Sequence, residues 1–136
     1  GYRKLALAAD EIITAIALPF PPARSRQFFR KVGTRRAQSI SKEVMSATAR
    51  LGRDGTLDHV RVALGSVAPV TLRATRVERV LMGAAPSPGA ADAARGMLPF
   101  DIAPIDDIRS DREYRQEVAG RLLAQFLQSV HPRFGR

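Results

Sequence analysis

The spacing of apolar residues changes once along this chain, and that change limits the possible folds more than any other feature. Up to Gly65 the apolar residues recur every second position, the period of a strand with one buried face. From Thr71 onward they step by three or four, the period of an amphipathic helix. A chain that builds strands first and helices afterwards has one simple solution, a sheet with a helical layer packed on one of its faces.

Glu11–Leu18 alternates Ile12, Thr14, Ile16 and Leu18 with Ile13, Ala15 and Ala17, which predicts a strand. Pro19-Phe20-Pro21-Pro22 stops it, because proline removes ladder donors and restricts the preceding residue. The proline cluster is the expected domain boundary. Residues 1–20 then read as the terminal strand of another domain, and 21–136 as a domain of their own. Arg26–Val32 is the next expected strand, closed by Gly33. Ile40–Leu51 is tolerable as a helix by propensity, yet Met45, Ala47, Ala49 and Leu51 alternate with Val44, Ser46, Thr48 and Arg50. The segment runs into Gly52-Arg53-Asp54-Gly55, which has the chemistry of a hairpin turn, and Val60, Val62 and Leu64 resume the alternation beyond it. Strand, turn, strand accounts for both halves.

Thr71–Met82 is predicted helical, with Gly83 as its stop, and Ala84–Gly89 as a linker. Ala90–Leu98 is a shorter helix expected to end at Pro99. The last helix has the strongest signature. Ser110-Asp111-Arg112-Glu113 has capping-box spacing, and Tyr114, Val118, Leu122, Phe126 and Val130 follow at intervals of four, ending before Pro132. The expected fold class is α+β, a three-stranded antiparallel sheet packed against a three-helix layer.

The 136 residues suit one compact domain with a piece of a neighbour attached. The absence of cysteine excludes a disulfide scaffold, a thiolate metal site, an iron–sulfur cluster on this chain and a cysteine nucleophile, and it fits a reducing, cytoplasmic setting. No apolar run is long enough to cross a bilayer, and Gly1–Ala15 lacks the layout of a signal peptide, so neither a membrane partner nor export is expected. The formal charge of +9 raises the alternative of a basic, non-enzymatic module that binds RNA or an acidic protein. Nineteen of the 22 basic residues are arginine, but they are scattered from Arg3 to Arg136, and only Arg24, Arg26, Arg30, Lys31, Arg35 and Arg36 form a local group. No run of aromatics offers platforms for stacked bases, which argues against nucleic acid.

No catalytic constellation emerges. His59 and His131 stand apart with no carboxylate at ligand spacing, so no metal site is expected. The serines lack a nucleophile-elbow context. Asp106 and Asp107 are adjacent and cannot face each other across a substrate, and the glycines are isolated rather than gathered into a phosphate-binding loop.

Four segments, in order and spread over nearly the whole chain, resemble one known family. Gly1-Tyr2-Arg3-Lys4 with Asp10-Glu11-Ile12-Ile13 resembles the segment that closes the FAD-binding domain of xanthine-dehydrogenase and carbon-monoxide-dehydrogenase-type molybdenum hydroxylases. Phe28-Phe29-Arg30-Lys31-Val32-Gly33-Thr34-Arg35-Arg36-Ala37-Gln38-Ser39-Ile40-Ser41-Lys42 is similar to the family's FxKVGxRRAxxISK stretch. Val62–Pro69 is similar to its VALGSVAP strand end, and Asp106–Arg115 to the D-I-R-S…EYR start of its last helix.

The resemblance implies the C-terminal part of an FAD-carrying subunit. In such enzymes a molybdenum cofactor hydroxylates the substrate and electrons pass through [2Fe–2S] clusters to FAD, then to NAD or oxygen. The molybdenum cofactor and the clusters would lie on other domains or subunits, and the partners would be the FAD-binding domain and the iron–sulfur and molybdenum-binding subunits. The family's pyrophosphate cradle would precede Gly1, so the chain alone is not expected to be active. Ile13 matches a position that packs at the isoalloxazine and Lys31 one whose ammonium lies near the ring, which makes these two the cofactor-binding candidates; none is catalytic and none binds metal. Ala9 replaces a more usual proline. Glu43 stands where an apolar residue is common, which predicts that its side of the strand faces solvent.

Overall fold

The structure, a computed structural model, describes residues 4–36 and 38–131. Gly1, Tyr2, Arg3 and Ala37 of the resembling segments, and the expected stop at Pro132, lie outside the described residues. Four strands precede three helices: β1 Arg26–Gly33, β2 Ser41–Leu51, β3 Leu57–Gly65, β4 Leu72–Arg73, α1 Thr75–Leu81, α2 Pro88–Asp101 and α3 Arg112–Val130. The strands form one antiparallel sheet in sequence order.

Alternation decides which sheet face is covered. Met45, Ala47 and Ala49 of β2 and Val60, Val62 and Leu64 of β3 are all buried and point to the helices. The small side chains at 47 and 49 leave room for α3, which lies over β2, while α1 packs on β3 and α2 joins the two helices. Leu123, Phe126 and Leu127 of α3 complete the core. The ring of Phe126 meets Phe28 of β1 at 5.8 Å between centroids, tilted by 54°. The turn between β2 and β3 forms as expected: Gly55 has φ +80°, and the Asp54 carboxylate accepts from the Thr56 amide and hydroxyl.

Five expectations change. The sheet has a fourth strand, because the stretch expected to begin a helix at Thr71 first joins β3. Arg73 and Leu72 pair with Ala63 and Leu64, the Ala74 amide bonds the Val62 carbonyl, and only then does α1 start. The carboxylate of Glu78, on α1, reaches back to accept from the Val62 amide at 2.9 Å and pairs with Arg73. Helix α2 continues through Pro99 to Asp101, since a proline in the last turn forfeits only one intrahelical bond and Ile102 still donates to the Leu98 carbonyl. The N-cap of α3 is Asp111 rather than Ser110; its carboxylate accepts from the Tyr114 amide at 2.7 Å, while the Ser110 backbone is engaged with Asp107. Glu11–Leu18 forms no strand: it finds no neighbouring strand among the described residues, and an isolated strand leaves its backbone groups unsatisfied. Glu43, expected to face solvent, is fully buried, because strand alternation puts it on the same side as Met45.

Candidate functional site

Lys31 lies on β1, opposite Val44, and is exposed. Alternation places Phe29 on the same side, opposite Ser46 and 64% exposed. This is the sheet face that the helices leave uncovered. Beside these two residues its surface is made of short side chains: Val44 and Ser46 on β2, with Ala63 and Gly65 opposite them on β3. The result is a low platform with an aromatic ring and an ammonium at one edge. No ion pair engages Lys31 among the described residues. At the far end of the same face Thr48 Oγ1 and His59 Nε2 are 3.2 Å apart. Burial, reinforced by Arg61 and Arg50, holds the His59 imidazole below its ordinary pKa.

Ile13 belongs to a segment without helix or strand, and its side chain is 70% exposed. The structure therefore does not fix it beside Lys31. Its neighbours Ile12, Ile16, Leu18 and Phe20 are equally uncovered.

Two of the resembling segments meet in space although their key residues are 49 positions apart. Arg115, on the first turn of α3, is buried and donates to the Ser66 carbonyl at 2.5 Å and to Asp107 Oδ1 at 2.7 Å. Ser66, the residue after β3, adopts the left-handed region, φ 68°, which turns its carbonyl toward the arginine. Asp107 also accepts from the Arg109 and Ser110 amides, and these bonds, with the Arg115 guanidinium, hold its carboxyl below the usual carboxylate range. A cleft of about 420 Å³ opens here, lined by Ala68, Pro69, Ala103 and Ile105 with the two arginines 109 and 115. A second of the same size runs between the β1–β2 loop and the Ile108–Arg109 turn. Neither cleft brings Ile13 or Lys31 into its lining. Sequence reasoning did not single out Arg115, Asp107 and Ser66 as a unit, because a clamp joining a strand end to a helix start has no fixed spacing.

The residues present fit one side of a flavin site. A flat platform of short side chains can take a planar ring, and an unpaired ammonium suits the edge that gains negative charge on reduction. No glycine-rich cradle for the phosphates lies among the described residues.

Comparison with known proteins identifies relatives of this fold. Residues 28–130 match the family described as CO dehydrogenase flavoprotein C-terminal domain. The nicotine 6-hydroxylase medium subunit of Paenarthrobacter nicotinovorans is 32% identical over 125 residues, 90% of this chain and 42% of that protein. The putative xanthine dehydrogenase FAD-binding subunit XdhB of Escherichia coli is 30% identical over 118 residues, 85% of this chain and 39% of the subunit. Among solved structures, carbon monoxide dehydrogenase from Hydrogenophaga pseudoflava superposes with a TM-score of 0.75 at 28% identity, covering 83% of this chain and 39% of that one. The chain spans less than half the length of these relatives.

Proposed function

Since this chain belongs to the CO dehydrogenase flavoprotein C-terminal domain family, we propose that it forms one wall of the flavin pocket in the FAD subunit of a molybdenum hydroxylase. The observation that carries this reading is the uncovered sheet face with Phe29 and Lys31 at its edge. In the complete enzyme, bound FAD would supply the relay of electrons from [2Fe–2S] clusters to NAD or oxygen. Lys31 supplies a positive charge beside the ring, and Ile13 an apolar contact. The platform excludes water from the side it covers.

Residues 1–20 act as the terminal strand of the FAD-binding domain, and 21–136 as the C-terminal domain. The uncovered isoleucines of Glu11–Leu18 support this division, because such a segment buries its side chains only when another sheet supplies a partner. Iron–sulfur and molybdenum-binding subunits are the further partners, in the cytoplasm. No described helix is long and apolar enough to cross a membrane. The charge distribution favours this reading over a phosphate-binding module. Arg50, Arg73, Arg95, Arg112 and Arg115 are each paired with an acidic residue at separate places on the fold, rather than aligned on one basic face.

Lys31→Ala in the complete enzyme tests the assignment. Losing a cation beside the ring should lower the flavin reduction potential by an amount on the order of tens of millivolts. Hydroxylation measured with an artificial acceptor at molybdenum should persist, while FAD-dependent NAD reduction slows. An unchanged potential would return Lys31 to a solvated strand position.

A further inference from the structure

Ile108 is fully exposed, yet the turn that carries it is tied down from both sides. Asp107 and Ser110 exchange backbone bonds of 3.0 and 3.2 Å, and the Asp107 carboxylate accepts from the Arg109 and Ser110 amides. The buried Arg115 anchors Asp107 in turn and ties it to the Ser66 carbonyl. A backbone fixed in this way holds the isoleucine clear of its own domain. Arg109 lines both clefts, so the Ile108–Arg109 turn stands between them, with Ile105 exposed in one and Ile40 in the other. The wall facing Ile108 is held as well: Ser39 Oγ donates to the Arg35 carbonyl at 3.1 Å, and the Arg35 guanidinium donates to the Gln38 carbonyl at 2.8 Å. The two linings carry Arg35, Arg109 and Arg115 against a single carboxylate, Asp107. That carboxylate is already paired with Arg115 at 2.7 Å and lies 3.9 Å from Arg109. Positive charge is therefore in surplus around an apolar anchor.

We propose that the Ile108–Arg109 turn and its two flanking clefts dock an acidic, apolar segment of a different subunit, with Ile108 as the anchor and Arg35 and Arg109 receiving its carboxylates. Exposed apolar side chains grouped at clefts mark contact surfaces, and a turn already fixed in the free domain loses little entropy on docking. Charge decides the kind of partner. Two copies of this chain meeting through the same patch would bring like charges together, since a two-fold interface apposes one surface with itself. Nucleic acid would use the arginines but not the isoleucines, and neither cleft offers an aromatic ring for a base to stack on. A protein segment with apolar side chains and carboxylates satisfies both halves of the surface. Such a partner presupposes the multisubunit enzyme proposed above, but the surface stands apart from the flavin platform, because neither cleft includes Lys31.

Dilution of the complete enzyme, followed by sedimentation velocity, reads the affinity of the flavin subunit for the other subunits. Ile108→Asp should weaken it about thirtyfold, the effect of losing one central anchor. The thermal midpoint of the flavin subunit should stay unchanged, because this side chain is exposed in the fold. Arg109→Glu should also lower the affinity and remove part of the salt dependence of association. FAD content and flavin reduction potential should match the wild type in both variants, which separates a failure at this surface from a failure of the flavin assignment. Equal dissociation of the wild type and both variants would overturn the proposal. Self-association of the wild-type flavin subunit that Ile108→Asp abolishes would overturn it in favour of a second copy, and RNA binding that Arg109→Glu abolishes would do so in favour of nucleic acid.

Discussion

Replacing Glu43 by glutamine should make the stability of this domain less dependent on pH, and the size of the effect follows from where the carboxyl sits. In the unfolded chain Glu43 ionises near its ordinary value of 4.5; in the fold, burial raises this to about 8. Below 4.5 both states hold the proton and the residue contributes no pH dependence. Between 4.5 and about 8 the folded state holds a proton that the unfolded state has released, so stability falls as pH rises. At 1.36 kcal/mol per pH unit the whole interval amounts to about 4–5 kcal/mol, with about 3 kcal/mol reached by pH 7. That is a large share of the stability of a small domain. The assay is urea unfolding of wild type and Glu43→Gln at several pH values from 4 to 9. The gap between the two should open in favour of the variant through this window and level off near pH 8. Parallel stability curves, separated by a constant offset at all pH values, would refute the reasoning and mean that Glu43 is solvated in the native protein.

Phe126→Ala removes a fully buried ring that packs on Phe28, and should cost about 3–5 kcal/mol, read as a lower thermal midpoint. Asp101→Ala should cost about 1 kcal/mol in urea unfolding, because its carboxylate accepts from the Arg76 and Val77 amides and so replaces the side-chain cap that Ala74 cannot provide to α1; Asp101→Asn should retain most of that stability.

The two periods in the sequence announced the sheet, the helices and their order, since each apolar stripe had to be buried against another element. The same alternation also carried the position of Glu43: it shares parity with Met45, Ala47 and Ala49, and only the expectation that an acid avoids the interior pointed it outward. The platform was legible in part. Parity with Phe29 put Lys31 on one face, but nothing in the pattern told which face the helices would leave open. The fourth strand was hidden because Leu72–Arg73 is too short to show a period and is secured by a carboxylate six positions after the strand begins. Ile13 illustrates the opposite failure. Its pattern is that of a strand, yet a strand is a relation between two segments, and the partner is not among the described residues.

Glu78 has a consequence for how this sheet meets other chains. Beyond β4 the Val62 amide of β3 is occupied by a side chain from the following helix, itself pinned by Arg73. An approaching strand would have to displace an ion pair to add there. The opposite border, β1, presents Arg26, Arg30 and Lys31, whose mutual repulsion discourages two copies from pairing edge to edge. Both margins of the sheet are thereby closed to growth, one by a plug and the other by charge. A domain with so much bare apolar surface on its leading segment can then associate through that segment without its sheet seeding a fibre.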